Sequence, residues 1–475
     1  MQSIFWYDYE TSGADPKRDR PFQVGGLRTD LNLNPIEEPV CFYCKPSRDV
    51  LPHPQACLIT GITPQEALEK GEPEAAFAAR LHDELTRPGT CTAGYNSLRF
   101  DDELTRFMLY RNFYDAYDWA WRNGNSRWDL IDTVRTTYAL RPEGLNWPLR
   151  EDGAPSFRLE DLTAANGIDH GQAHDALADV YATIAMAKLI KTHQARLFDH
   201  LFTLRDKRQV ARLLDPVKKT PVVHVTRMYP AEFGCTSMVM PLTSHPENNN
   251  STLVFDLRHD PSPFLKLDEK ELARRAFSPN AELGDDEPRL PVKEILANKC
   301  PVVLPAKTLD EASAKRIQLD THAARRHYDA LITDTGFIER LRRIYQSDRF
   351  ATPTDPELML YSGGFFGDHD RRLMDEVRAT PPEGLAALSG GFEDPRLAPM
   401  LFRYRARNFP NSLNSDEQMA FEDYRYQRLT EADAGGSLTM DEFHEQLEQL
   451  SQSELSERDQ AIVDALFEYA ESLMA

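Results

Sequence analysis

The sequence predicts an α/β domain followed by a β-rich domain and then an α-helical one. Three observations carry that order. Through residue 193, the strand-like runs "SIFWYDYE", "VCFYCKP" and "CTAGYN" alternate with the helix-like runs "PQEALEKGEPEAAFAARLHDEL" and "HDALADVYATIAMAKLIKTH", as expected of a sheet covered by helices. From 195 to 350 the runs "TPVVHVTRMYP", "TSMVMPL", "STLVFDL" and "CPVVLPA" are short and separated by Pro and Asn clusters, the pattern of a small β domain with helical segments late in the region. From 351 to 475, "EQMAFEDYRYQRL", "TMDEFHEQLEQL" and "ERDQAIVDALFEYAESLM" space apolar residues by three and four, which is helical. The expected domains are therefore 1–193, 195–350 and 351–475.

The first strand carries an anomaly. Side chains alternate faces along a strand, so in "IFWYDYETSG" the acids Asp8 and Glu10 share a face with Ile4 and Trp6, while Phe5, Tyr7 and Tyr9 take the other. Two poorly solvated carboxylates this close raise each other's pKa unless a cation joins them. The next run, "VCFYCKP", holds the only CxxC, Cys41 and Cys44; with no second pair to complete four ligands it reads as a strand rather than a zinc site. The following helix opens with Thr63, Pro64 and Glu66, a capping box with proline at the first helical position.

Two further acidic positions follow. In "AGYNSLRFDDELTRF" a strand leads through Asn96 and Phe100 into a helix that begins with Asp101 and Asp102. In "HDALADVYATIAMAKL" His174 stands at a helix entrance and Asp179 five residues on. Each alone has an ordinary structural explanation, since an acid in the first turn of a helix is favoured by the helix dipole.

Composition sets limits. A chain of 475 residues with 41% hydrophobic and 10% aromatic content is folded and exceeds one core. No run reaches membrane-span length and the start lacks a signal peptide, so a cytoplasmic protein is expected. The net charge of −21 opposes polyanion binding, but it is unevenly placed. From Glu431 onward there are twelve acidic residues and one basic, Arg458, whereas Lys188 to Arg227 holds ten basic residues and three acidic. A polarised surface can hold a polyanion on one face.

A DxE on the first strand, an NxxxFD at a strand-to-helix junction and an HxxxxD on a late helix resemble, in that order, the DEDDh (DnaQ-like) 3′–5′ exonuclease superfamily. The position four before Asp179 is Asp175, where the DEDDy branch has tyrosine. The segments "YDYETSGADPKRDRP", "LITGITPQEALEKGE", "NSRWDLIDTVR", "PSFRLEDLTAANGI" and "YRARNFP" extend the likeness to the bacterial exodeoxyribonuclease I family, which degrades single-stranded DNA from its 3′ end. That resemblance implies a ribonuclease H-like exonuclease domain with a mixed sheet, an SH3-like domain and a helical C-terminal domain. It implies DNA repair and recombination as the setting, and a monomer that releases 5′-mononucleotides processively.

It further implies that Asp8, Glu10, Asp101 and Asp179 hold two Mg²⁺ ions, with Mn²⁺ as substitute, and that His174 is the general base. Oxygen-only ligands agree with a hard cation, and an imidazole pKa of roughly 6.5 agrees with the base. Asp102 and Asp175 are excluded from the ligand set. For the strand of DNA the resemblance selects Glu10, Arg106, Tyr117, Trp121, Arg135, Phe157 and Arg158. All five tryptophans lie in the first 150 residues, and the aromatics Phe113, Tyr114, Tyr117, Trp119, Trp121 and Trp128, interleaved with Arg111, Arg122 and Arg127, suit base stacking; half of them are expected in the core. The family also binds the acidic tail of single-strand-binding protein, with Arg141 and Arg316 as candidates here and with His200 and Thr321 departing from the family's residues. Two alternatives remain open at this point: a DEDDh exoribonuclease, and a non-catalytic single-strand-binding or recruitment module.

Overall fold

The computed structural model describes residues 2–171, 175–346 and 353–474. The chain divides into two compact units, Met1–Ser126 with His170–Tyr181 and Ala351–Ala475, and Arg127–Asp169 with Ala182–Phe350.

The first unit is built on β1 (Ser3–Thr11), β2 (Pro21–Thr29) and β3 (Val40–Tyr43), then α1 (Pro54–Thr60), α2 (Pro64–Lys70), α3 (Glu74–Thr86), β4 (Thr90–Gly94) and α4 (Asp101–Arg111). β1 is central, antiparallel to β2 and parallel to β4, with β3 antiparallel on the far side of β2. This is a mixed sheet. Every residue of β1 is buried except Asp8, which is half-buried. Phe5, Tyr7 and Tyr9 pack with Phe77, Leu81 and Leu85 of α3 and with Leu104 and Met108 of α4, so the odd face of the strand meets the helices, and Ile4 and Trp6 on the even face are buried as well.

The long helix expected after Thr63 is two helices. Gly71 ends α2, its amide bonded to the Ala67 carbonyl, and Pro73, which has no N–H to continue a helix, precedes α3. The Thr63 hydroxyl accepts the Glu66 amide at 3.2 Å, the forward half of the expected cap. The CxxC lies on and just after β3, with Cys41 exposed and Cys44 buried.

The C-terminal helices belong to this same unit. Phe443, Leu447, Ile462, Val463, Leu466 and Tyr469 of the helices Met440–Ser451 and Glu457–Met474 share a core with Phe22, Leu51 and Cys57. The acidic stretch is thus the solvated face of a docked helix pair. Leu397, Met400 and Leu401 of Leu397–Asn408 pack likewise against Phe107, Tyr110 and Phe113. A buried ion network runs through the unit: Arg407 contacts Asp49 at 2.7 Å and Glu357 at 2.5 Å, Arg428 contacts Asp355 at 3.1 Å, and Arg111 contacts Glu74.

β5 (Ser126–Asp129), α5 (Leu130–Leu140), α6 (Leu159–Ala165) and α7 (Ala176–His193) follow in the chain. The second unit contains an antiparallel sheet in the order β10-β6-β7-β8-β9, formed by β6 (Val222–Val225), β7 (Thr236–Ser244), β8 (Ser251–Asp256), β9 (Val292–Leu296) and β10 (Val302–Pro305). Val222, Val223, Val225, Val239 and Leu304 fill its core with Leu140, Leu201 and Leu204. Helices Thr321–Thr333 and Thr335–Ile344 cover the other face through Leu331, Phe337 and Leu341. Among the described residues no helix is long and apolar enough to cross a membrane.

Candidate active site

The even face of β1 brings its two acids to one place. One carboxylate oxygen each from Asp8, Glu10 and Asp179 lie within 4.8 Å of one another, and among the described residues this is the one group with the geometry of a metal site. Asp179 is the fourth residue of α7. Asp101, the first residue of α4, is buried and accepts the Tyr9 backbone N–H through Oδ1 at 3.3 Å. Three chain segments more than 70 residues apart therefore meet over the end of β1.

The turn from β4 to α4 explains how Asp101 gets there. Gly94 passes so close to β1 that a Cβ would sit 2.8 Å from the Tyr7 carbonyl oxygen, and Asn96 follows at φ 63°, a left-handed conformation that asparagine tolerates. The helix then begins with its two acids pointing apart. Asp102 turns inward, where its Oδ1 accepts the Tyr7 hydroxyl at 2.7 Å. The Tyr9 hydroxyl and Thr105 hydroxyl are 2.9 Å apart on the same side.

Electrostatics at the cluster favour a cation. Burial pushes the Asp8 carboxyl well up, and Asp101, Glu10 and Asp179 push it further. Burial and then Asp179, Asp101 and Asp175 raise Glu10 to about 9. Carboxylates held this way bind a hard divalent ion in place of their protons. The donor set is all oxygen, which fits Mg²⁺ or Mn²⁺.

At the start of α7, Asp175 acts as a cap: its Oδ1 accepts the Leu177 and Ala178 amides at 3.2 and 3.1 Å. His174 lies outside the described residues. His170, which the HxxxxD spacing does not select, stands at the site: its Nε2 is 2.6 Å from Asp179 Oδ1. The signal that could have found it is a second histidine in "IDHGQAHD".

The DNA-contact candidates fall in both units. In the first, Arg106 is buried, pairs with Glu103 at 2.9 Å and lies 5.5 Å from the Tyr117 ring centre. Tyr117 meets Phe365 edge-on beside a cavity of about 320 Å³. Trp121 is 63% exposed, while Phe113, Trp119 and Trp128 are buried; Tyr114 and Tyr117 are partly buried and pack against core residues, so more of the cluster serves packing than the half expected, and Trp121 is its exposed member. In the second unit, Arg135 pairs with Asp132 at 2.7 Å and stands 6.0 Å from the Phe157 ring, and Arg158 is exposed beside Glu160. Arg141 donates to the Thr308 carbonyl and Arg316 to the Ala139 carbonyl; His200 and Thr321 are exposed.

Comparison with known proteins accounts for nearly the whole chain. Residues 5–187 match an exonuclease family model, 205–347 the Exonuclease I SH3-like domain and 354–473 the Exonuclease I C-terminal domain. Exodeoxyribonuclease I of Escherichia coli K12 is 48% identical over 100% of this chain and 99% of its own, and that of Haemophilus influenzae is 45% identical over 90% of each. Among solved structures, an Exonuclease I from Methylocaldum szegediense matches with a TM-score of 0.96 at 48% identity, and Escherichia coli Exonuclease I in complex with a dA16 oligonucleotide with 0.95 at 47%, each over 100% of both chains. The Escherichia coli complex with single-stranded DNA has also been solved in a zinc-bound form. With the three-domain order and end-to-end identity in agreement, the chain belongs to the exodeoxyribonuclease I family.

Proposed function

We propose that Asp8, Glu10, Asp101 and Asp179 hold two divalent ions, Mg²⁺ with Mn²⁺ as substitute, at which this exonuclease cuts the 3′-terminal phosphodiester of single-stranded DNA. Its family membership makes the chain a 3′–5′ exonuclease acting on single-stranded DNA. The observation that carries the metal reading is the clustering of Asp8, Glu10 and Asp179 within 4.8 Å, under burial that penalises the charged forms of Asp8 and Glu10.

Asp8 would serve both ions, with Glu10 and Asp179 on one of them and Asp101 assisting the other. Such ions, when bound, neutralise the phosphate and activate the attacking water. The chain's own part is to hold the carboxylates in place, and His174 takes the proton from the attacking water. Arg106, Tyr117, Trp121, Arg135, Phe157 and Arg158, with Glu10 at the terminal nucleotide, hold the strand by stacking and phosphate contact, which is indifferent to sequence. Domain limits at 1–193, 195–350 and 351–475 assign the chemistry to the first and strand retention to all three. Processive release of 5′-mononucleotides by a cytoplasmic monomer in repair and recombination, with the acidic tail of single-strand-binding protein received near Arg141 and Arg316, completes the reading.

The test is digestion of matched DNA and RNA strands, single- and double-stranded, labelled separately at each end, with Mg²⁺ and with EDTA. Loss of single-stranded DNA from the 3′ end only when Mg²⁺ is present is expected. Activity retained in EDTA overturns the metal reading, and equal digestion of RNA makes the protein an exoribonuclease as well.

A further inference from the structure

We infer that Gln23, outside the carboxylate set, is a positioning residue for Asp179 and through it for divalent-ion binding. The inference rests on the metal reading above. Gln23 lies on β2 directly across from Glu10 and is 2% exposed. Its Oε1 accepts the Ala176 N–H at 3.3 Å, and Ala176 is the first residue of α7.

The opening amides of a helix have no acceptor within it. In α7, Asp175 takes those of Leu177 and Ala178, so the Ala176 amide is the one passed to the sheet. Two residues along β2, Gly25 sits across from Asp8. A Cβ there would stand 2.6 Å from the Ala176 carbonyl carbon and the Leu177 nitrogen, so the first turn of α7 rests directly on strand backbone. The contact at Gly25 sets how near the helix comes; the directional bond at Gln23 sets its rotation and its height along the strand. Asp179 follows Ala176 by three residues, less than one turn of 3.6. Any rotation at Ala176 is therefore passed to the carboxylate that must meet Asp8 and Glu10. A methionine would fill the same volume at position 23 without burying a polar group, which leaves the acceptor itself as the feature to explain.

The full-length wild type, Gln23→Met and Asp179→Asn are titrated with Mn²⁺ by calorimetry, and thermal unfolding is followed without metal. Gln23→Met keeps the length and removes the acceptor. Its Mn²⁺ affinity is expected to fall about 10-fold, the lower end for partners that orient metal ligands. At fixed subsaturating Mn²⁺ kcat falls while KM for single-stranded DNA stays unchanged. Wild-type Mn²⁺ affinity with a lowered Tm overturns the inference, because Gln23 then only satisfies an amide. If Gln23→Met does not fold, Gln23→Asn, which draws the acceptor back by one methylene, replaces it with the same two outcomes. Equal Mn²⁺ binding by the wild type and Asp179→Asn overturns the metal reading, and this inference with it.

Discussion

Tyr7 donates its hydroxyl proton to Asp102 at 2.7 Å inside the first unit, one residue from Asp101 and one from Asp8. The bond ties β1 to α4 immediately beside the two carboxylates those elements supply. Removing it with Tyr7→Phe is expected to cost about 1–3 kcal/mol, the range for leaving one buried partner without its bond. Chemical denaturation measures that loss, and kcat is expected to fall with it, since Asp101 is held by the same helix start.

Asp8→Ala and Asp179→Asn should each abolish digestion of single-stranded DNA by several orders of magnitude while leaving its binding close to that of the wild type. In the proposed function the carboxylates carry the chemistry, and the strand is held by aromatics and arginines elsewhere. A filter-binding or anisotropy titration beside a 3′-end digestion assay separates the two.

Metal binding should release protons at neutral pH. Glu10 is raised to about 9 from an ordinary 4.5, so between those values the folded, metal-free protein keeps a proton that the unfolded chain has lost. Its stability without metal therefore falls as pH rises through that window, and metal affinity rises. Calorimetry with Mg²⁺ at pH 7.5 in buffers of different ionisation heat should report proton release, and at pH 10 the release should shrink.

The two neighbouring tryptophans should behave as opposites. Trp121 is 63% exposed and Trp119 is 1% exposed. Trp121→Ala should leave Tm unchanged and weaken single-stranded DNA binding by about 1–3 kcal/mol per stacked base. Trp119→Ala should cost about 3–5 kcal/mol of stability, seen in denaturant unfolding.

Acid should unfold the first unit through its ion network. Burial pushes Asp49 and Glu357 upward, but Arg407 with Arg428 at the first and with Arg403 at the second outweighs it, and both carboxyls end well below their usual range. Glu74, buried and held by Arg111, falls to about 2. Their contribution is complete above an ordinary carboxyl pKa of about 4 and is lost as pH drops further. Asp49→Asn should remove about 3–5 kcal/mol by leaving Arg407 and Arg428 short of a buried partner. Urea unfolding at pH 7 and pH 3.5 reads both effects.

Local rules made part of this molecule readable beforehand. Alternation along "IFWYDYETSG" placed Asp8 and Glu10 on one face, and first-turn logic put Asp175 on its own helix rather than on a ligand. The break at Gly71 and Pro73 was visible in the residues but lost in a longer periodic run. Other features depend on pairs distant in sequence. Arg407 finds Asp49 from 358 positions away, and no spacing rule reaches that far. His170 and Gln23 escaped for a related reason: each contacts α7 from outside the motif, and although a second histidine nearby hints at His170, nothing in the neighbours of Gln23 marks a glutamine as special.

The shared core of Phe22 and Leu473 has a consequence for synthesis. A ribosome makes Phe22, Leu51 and Cys57 hundreds of codons before the helix Glu457–Met474 that covers them. During that interval their apolar surface is without the helix that covers it in the finished protein. The nuclease reaches its finished form only after residue 473 has been made, so a nascent chain stalled earlier carries its DxE strand without the packing that completes the unit around it.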